Sequence, residues 1–183
     1  MKIDTPLPDV LILTPDRFGD DCGRFSETFN APRLRAMRIV MDWVRDNHSM
    51  SAKAGTLRGL HYQRPRNAQD KLVRRPHSAI LDVAVDFRAG SVTHGKWVGG
   101  DLTPENRCHP LVPKGFLHGF ITLQPGTEVQ YKCSDVYAPD CDDAVRCDDP
   151  DLAIVWGITD PVLSAKDAAA PWFRDVVSSF GAA

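Results

Sequence analysis

An all-β sandwich or barrel is the fold class this sequence predicts, and three features carry that prediction. Short segments alternate apolar and polar residues with a period of two. In residues 79–87, Leu81, Val83, Val85 and Phe87 fall on one face and Asp82 and Asp86 on the other. Glycine, proline and aspartate divide these segments at short intervals, and helical patterning is scarce.

In chain order, residues 10–13 make a short apolar strand between Pro8 and Pro15. Residues 18–23 are rich in turn formers and read as a loop, while residues 24–29 alternate enough for a strand. Residues 31–38 suit one or two helical turns, with Pro32 tolerated near the start. A strand containing Trp43 is expected over 39–44, then a polar turn over 45–49. The next strand, Arg58-Gly59-Leu60-His61-Tyr62-Gln63, carries polar groups where a packed strand would hold Val or Ile. A proline-rich loop at 64–67 leads to Lys71-Leu72-Val73-Arg74, and strands follow over 79–87, 95–102 and 116–123. Residues 128–137 alternate again, with Val129, Tyr131, Cys133, Asp135 and Tyr137 on one side. Residues 164–170 and the tail after Trp172 are the remaining helical candidates. No repeat or linker interrupts the pattern, so residues 1–183 are expected to form one domain.

The composition, 43% hydrophobic and 25% charged, is that of an ordinary soluble globular protein. A net charge of -2 gives no global attraction to nucleic acid or an anionic membrane, so any anionic ligand must be held by local cations. No apolar run approaches the roughly 20 residues that span a bilayer, and the N-terminal residues contain no signal-peptide core. The cysteines are five, an odd number without C-x-x-C spacing, which argues against a disulfide framework or zinc ribbon and for the reducing cytoplasm.

A lone histidine in a barrel wall is ordinarily structural. Here His61 has an arginine nearby on its strand, and the strand-like stretches over 113–120 and 131–132 add Lys114, His118, Tyr131 and Lys132, which points to a site. The spacing of Pro113, Gly115 and His118 matches the second motif of the cupin jelly rolls. Metal-binding cupins add a His-x-His pair and a glutamate; here Gln63 stands where the second histidine would fall. Two imidazoles without a carboxylate make a poor divalent site, so neither metal nor cofactor is expected. On the residues alone, Ser164 and Asp167 read as a helix cap. Lys71 and Arg74 read equally well as a solvated strand face, and His48, His77, His94 and His109 as structural.

Taken together and in order, several motifs resemble the dTDP-4-dehydrorhamnose 3,5-epimerase family. They are Asp46-Asn47-His48-Ser49, Leu57 through Gln63, Lys71-Leu72-Val73-Arg74, residues 82–86, Pro104-Glu105-Asn106, residues 115–120, Tyr131-Lys132 and residues 163–171. The likeness runs from Pro8 to about Pro171. It implies a metal-free cupin jelly roll, usually a homodimer, acting on a deoxythymidine-diphosphate 4-keto-6-deoxyhexose. It further implies that His61 is the base, that Asp167 orients it, that Lys71 meets the developing C4 oxyanion and that Tyr131 reprotonates from the opposite face. Arg58 and Asn47 would contact the sugar diphosphate, His118 would line the wall, and Glu27 and Tyr137 would hold the nucleotide.

The departures fall mostly on the phosphate rim. Cys22 occupies a family arginine position, Arg24 replaces an aromatic residue and Arg45 replaces a glutamine. Pro76-His77-Ser78 and Cys108-His109-Pro110 also differ from the family pattern. Arg24 and Arg45 together are expected to hold the diphosphate in place of the family arginine, since a thiol at Cys22 cannot. Strict alternation would also put Arg58 and His61 on opposite faces, so a bulge or twist is expected near Gly59. The function expected is epimerisation at C3 and/or C5 of a nucleotide-diphosphate 4-keto-6-deoxyhexose. The alternatives are a single-centre epimerase or one for another nucleotide sugar, a metal-dependent cupin oxygenase, and a catalytically silent sugar-binding jelly roll.

Overall fold

The computed structural model describes residues 2–181. Its strands are β1 (Lys2–Leu7), β2 (Val10–Thr14), β3 (Phe18–Asp20), β4 (Gly23–Phe25), β5 (Arg45–Ser51), β6 (Leu57–Gln63), β7 (Lys71–His77), β8 (Ile80–Asp86), β9 (Trp97–Leu102), β10 (His109–Val112), β11 (Phe116–Thr122), β12 (Thr127–Cys133) and β13 (Asp142–Ala144). The helices α1 (Ala31–Ala36) and α2 (Ala165–Ala168) are short, and no helix among the described residues is long and apolar enough to cross a membrane. One sheet has six strands in the order β1-β2-β10-β7-β12-β5, a second has five in the order β13-β6-β11-β8-β9, and β3 and β4 form a separate hairpin. This is the jelly-roll sandwich expected of the sequence.

The two sheets face each other across a core of Val73, Ile80, Leu102, Phe120 and Val129, continued by Val10, Ala84, Val112 and Phe116. The other face of the five-stranded sheet, carrying Leu57, Leu60, Val83, Val85 and Leu117, is covered by Val145, Cys147, Leu152 and Trp156. β8 and β11 are therefore buried on both faces, which explains why β11 is buried at every position.

Several local expectations are corrected. Residues 18–23 belong largely to a hairpin, and the strand expected over 24–29 ends at Phe25. Asn30 begins a helix instead by capping α1, its Oδ1 accepting from the Arg33 N–H at 3.0 Å. Residues 39–44 are not a strand. Ile39 buries itself against Leu34, Leu72 and Leu111, with Met41 and Trp43 packed alongside. The polar turn expected over 45–49 is in fact part of β5, paired with β12 from Arg45↔Cys133 to Ser51↔Thr127. β12 ends at Cys133, so Tyr137 lies beyond it. β1, β10 and β13 lie where the pattern predicts no strand, and among the described residues the tail after Trp172 holds the 3-10 turn Phe173–Asp175 and an isolated bridge from Gly181 to Ala89 rather than a longer helix.

The bulge anticipated near Gly59 is present. His61 pairs with His118 and Arg58 with Phe120, so three steps along β6 match two along β11. Directly opposed residues share a face, and Arg58 and His61 consequently point the same way. Gly59 makes this possible: its φ is +134°, and a Cβ there would sit 2.5 Å from the Gly119 Cα. The Gly59–Leu60 peptide is cis.

At the end of β8, the wholly buried Asp86 accepts hydrogen bonds from Arg88, Ser91 and Thr93. Burial raises its pKa, but these hydrogen bonds outweigh burial and hold the carboxyl well below the usual range.

Gly59→Ala is expected to destabilise the protein by about 3 kcal/mol, because the left-handed backbone and the clash act together. Gly126→Ala, with φ +67° but open space around it, should cost about 1 kcal/mol; urea unfolding measures both. Asp86 has a depressed folded pKa, so its stabilisation is present above the unfolded value near 4 and is lost as pH falls toward the folded one. The stability gap between wild type and Asp86→Asn should therefore be widest near pH 7 and narrow below about pH 4.

Candidate active site

Strand register decides which side chains meet between the sheets. On the five-stranded sheet, Asp82 pairs with Phe120, Ala84 with His118, and His118 with His61. Phe120 and Ala84 belong to the inter-sheet core, so Asp82, His118, His61 and Arg58 face inward with them. On the opposing sheet, Tyr131 pairs with Val73 and Asn47, and Cys133 pairs with Lys71 and Arg45. Val73 is inter-sheet core, which places Lys71, Tyr131, Asn47, Arg45 and Cys133 on the inner face. Base candidates on one wall thus face amine and phenol groups on the other.

His61 and His118 each pair with one carboxylate. His61 Nε2 lies 2.5 Å from Asp167 Oδ1; the His61 side chain is 31% exposed and that of Asp167 2%. Asp167 also accepts from Ser164 Oγ at 2.8 Å, and Ser164 Oγ accepts from the Asp167 N–H at 3.1 Å. The Ser164–Asp167 pair therefore caps α2 and aims a carboxylate at His61 at once. Burial raises the Asp167 pKa, yet His61 and Ser164 outweigh it and keep the group below its ordinary value. His118 Nε2 lies 2.9 Å from Asp82 Oδ2, with both side chains buried. Among the described residues, no group of three or more His, Cys, Asp or Glu is placed to hold a metal.

The opposite wall is tuned by burial. Burial lowers the Lys71 ammonium pKa, against the raising influence of Cys133, Asp142 and Asp82. Burial raises the Tyr131 phenol, Cys133 adds to it, and Arg45 and Arg58 oppose it. Neither the Lys71 amine nor the Tyr131 hydroxyl has a hydrogen-bond partner among the described residues, so both are free to meet a ligand.

At the mouth, the Arg45 guanidinium lies 5.7 Å from the Tyr137 ring centroid. Its Nη2 reaches Gln69 Oε1 at 3.4 Å and Cys133 Sγ at 3.6 Å, while its buried Nε has no partner among the described residues. The Tyr137 hydroxyl donates to Asp142 Oδ2 at 3.2 Å, and Lys166 Nζ pairs with the same oxygen at 2.6 Å. Asn47 Nδ2 contacts Cys133 Sγ at 3.5 Å, and Arg58 Nε contacts Ser51 Oγ at 3.4 Å.

The structure thus brings together His61, Asp167, Lys71, Tyr131, Arg58, Asn47, His118, Arg45 and Tyr137. It does not bring Arg24 or Glu27 to this cluster within one chain. Arg24 is exposed on the β3–β4 hairpin and Glu27 on the segment that follows it, and Arg24 lies within electrostatic reach of Arg75. Arg75 is four residues along β7 from Lys71, about 13 Å away. Arg24 and Arg45 consequently sit on different surfaces of the chain. Sequence reasoning missed Asp82 as the partner of His118, and Asp142 and Lys166 at the mouth. The one available signal was an aspartate repeating on the polar side of an otherwise apolar β8.

Comparison with known proteins gives a consistent result. The family profile of dTDP-4-dehydrorhamnose 3,5-epimerase matches residues 4–175. The dTDP-4-dehydrorhamnose 3,5-epimerase of Salmonella typhimurium is 46% identical over 171 residues, covering 92% of this chain and 93% of that protein. A crystal structure of the Bacillus anthracis enzyme with TDP and PPi bound superposes with a TM-score of 0.91 at 45% identity, over 93% of this chain and 98% of that one. The dTDP-6-deoxy-D-glucose-3,5-epimerase of Legionella pneumophila, in complex with dTDP-4-keto-L-rhamnose, superposes with a TM-score of 0.92 at 40% identity, over 99% of each chain. With its inner-wall histidine, lysine and tyrosine, and with matches along nearly its whole length, the chain belongs to the dTDP-4-dehydrorhamnose 3,5-epimerase family.

Proposed function

We propose that this protein epimerises C3 and C5 of a dTDP-4-keto-6-deoxyhexose, converting dTDP-4-dehydro-6-deoxy-D-glucose into dTDP-4-dehydro-L-rhamnose, within one catalytic domain. The observation that carries this is the opposition of a carboxylate-backed imidazole on β6 to an unpartnered amine and phenol on β7 and β12. With Nε2 of His61 engaged by Asp167, Nδ1 carries the free lone pair that removes a proton α to the C4 ketone. Asp167, ionised at neutral pH, stabilises the imidazolium that results.

The electrons of the broken C–H bond move onto the C4 oxygen, where the Lys71 amine stabilises the enolate. A pre-aimed donor of this kind is worth about 3 kcal/mol. Tyr131, whose phenol burial keeps protonated, delivers a proton to the same carbon from the opposite sheet and so inverts it. The imidazolium then loses its proton to solvent and the phenolate regains one, so no proton is gained or lost overall. Repeating the cycle at the second α carbon needs no further residue. Arg58, Asn47 and His118 would line the sugar diphosphate, while Arg45 and Tyr137 at the mouth would hold its nucleotide end, with the Tyr137 ring as a flat face for the base.

A homodimer in the cytoplasm is the accompanying proposal. β1 and β5 are the open edges of the six-stranded sheet, with Met50 exposed on β5 and Val44 just before it. The five cysteines are all free thiols, as a reducing compartment would keep them.

NMR of a dTDP-4-keto-6-deoxyglucose incubation in heavy water tests the reaction. Wild type should introduce deuterium at C3 and C5, and His61→Ala should lower exchange at both by about 10²–10⁴-fold. Tyr131→Phe should retain exchange at one or both carbons while inversion falls; a parallel loss of both would remove Tyr131 from the opposite-face role. Light scattering at micromolar concentration should give twice the 20.3 kDa chain mass, and a monomer mass would refute the dimer.

A further inference from the structure

Away from His61, a cavity of about 320 Å³ opens beside the β3–β4 hairpin, lined by Arg17, Arg24, Arg74, Arg75, Arg107 and His109 among others. The compensation of these charges is unusually poor. Arg74 is committed, donating to Thr28 Oγ1 at 3.0 Å and to Gln130 Oε1. Arg17 and Arg107 each donate to a backbone carbonyl, those of Pro104 and Pro15. None of Arg17, Arg24, Arg75 and Arg107 forms an ion pair among the described residues. The Nε atoms of Arg75 and Arg107 are buried and have no hydrogen-bond partner among the described residues. Glu105, fully exposed, is the one carboxylate that acts on Arg75, while Arg24 and Arg17 repel it.

Guanidinium groups crowded this way repel one another and leave buried donors unmet, both of which cost free energy. A multivalent anion removes both costs together: its oxygens accept from the forks, and its charge neutralises the cluster. His109 fits the same ligand. Burial, followed by Arg74 and Arg75, lowers its pKa to about 4, so at neutral pH it adds a neutral ring rather than another cation.

We propose that this cavity, which His61, Lys71, Arg58 and Tyr131 do not line, is a second anion-binding site for a small molecule carrying a phosphate or diphosphate group. The phosphate could come from free diphosphate or from a nucleotide. The site rests on the arginines alone and stands whether or not His61 is a base.

Calorimetric titration of inorganic pyrophosphate into the full-length protein at low ionic strength tests it, with a nucleoside diphosphate as a second arm. Arg45→Ala/Arg58→Ala, which removes both inner-wall guanidinium groups, should still bind pyrophosphate. The double variant Arg75→Gln/Arg107→Gln should bind it about tenfold or more weakly, and added salt should weaken the wild type. Tighter binding of the nucleoside diphosphate that also disappears in the double variant would identify the nucleotide as the source; equal binding would identify the diphosphate. Should the double variant fail to fold, Arg24→Ala, with its exposed side chain, takes its place and should weaken binding about threefold. Unchanged binding in the folded variants, or none in the wild type, overturns the proposal. An absence of binding accompanied by a dimer-to-monomer change in the double variant would assign the cations to a subunit interface instead.

Discussion

The inner wall of this protein depends on a single steric constraint, the contact of β6 and β11 at Gly59 and Gly119. A regular strand shows alternate residues to one face, so two side chains three apart diverge. The extra residue at the bulge cancels that divergence and turns Arg58 and His61 onto the same face of the sheet. The backbones can approach so closely only because neither residue carries a Cβ; one at Gly119 would lie 3.0 Å from the Arg58 carbonyl oxygen. Burial of β11 on both faces leaves the pair no room to relax. The orientation of His61 is in this sense fixed by two missing methyl groups.

On that scaffold the electrostatics divide by wall. The five-stranded sheet supplies imidazoles, each backed by a carboxylate, while the six-stranded sheet supplies an amine and a phenol that burial drives in opposite directions. Lowering Lys71 and raising Tyr131 have one cause, the cost of burying a charge. Neither group has an ion-pair partner of its own among the described residues, which is the state in which an enolate oxygen and a carbanionic carbon could use them. Cys133 acts on both, and its thiol sits at the contact between Arg45 and Asn47.

Much of this is legible in the sequence where pattern and chemistry coincide. β8 and β11 announce themselves by alternation, and the polar groups of β6 have no packing role to explain them. β5 reads as a turn because Asp46, Asn47, His48 and Ser49 are common turn formers; tertiary pairing with β12 overrides that preference. Residues 39–44 mislead for the converse reason: their apolar side chains fill the space beneath α1 rather than a ladder. Ser164 and Asp167 admit two readings because a cap and a charge partner use the same short helix. Arg24 and Arg45 look like neighbours on the phosphate rim, yet spatial separation along β7 is invisible to spacing along the chain.

In the proposed reaction the sugar sits between the two sheets. A competing location exists, since a cavity of about 380 Å³ on the outer side of β5, β7 and β12 is lined by Asp46, His48, Arg74, Gln130 and Lys132 and also touches Asn47 and Tyr131. A crystal structure of the Tyr131→Phe protein with a dTDP-hexose bound would distinguish the two most directly. The expected result is a hexose ring on the inner wall, with its C3 and C5 facing His61 and its C4 oxygen at the Lys71 amine. A ring held in the outer cavity, with His61 and Lys71 untouched, would contradict it.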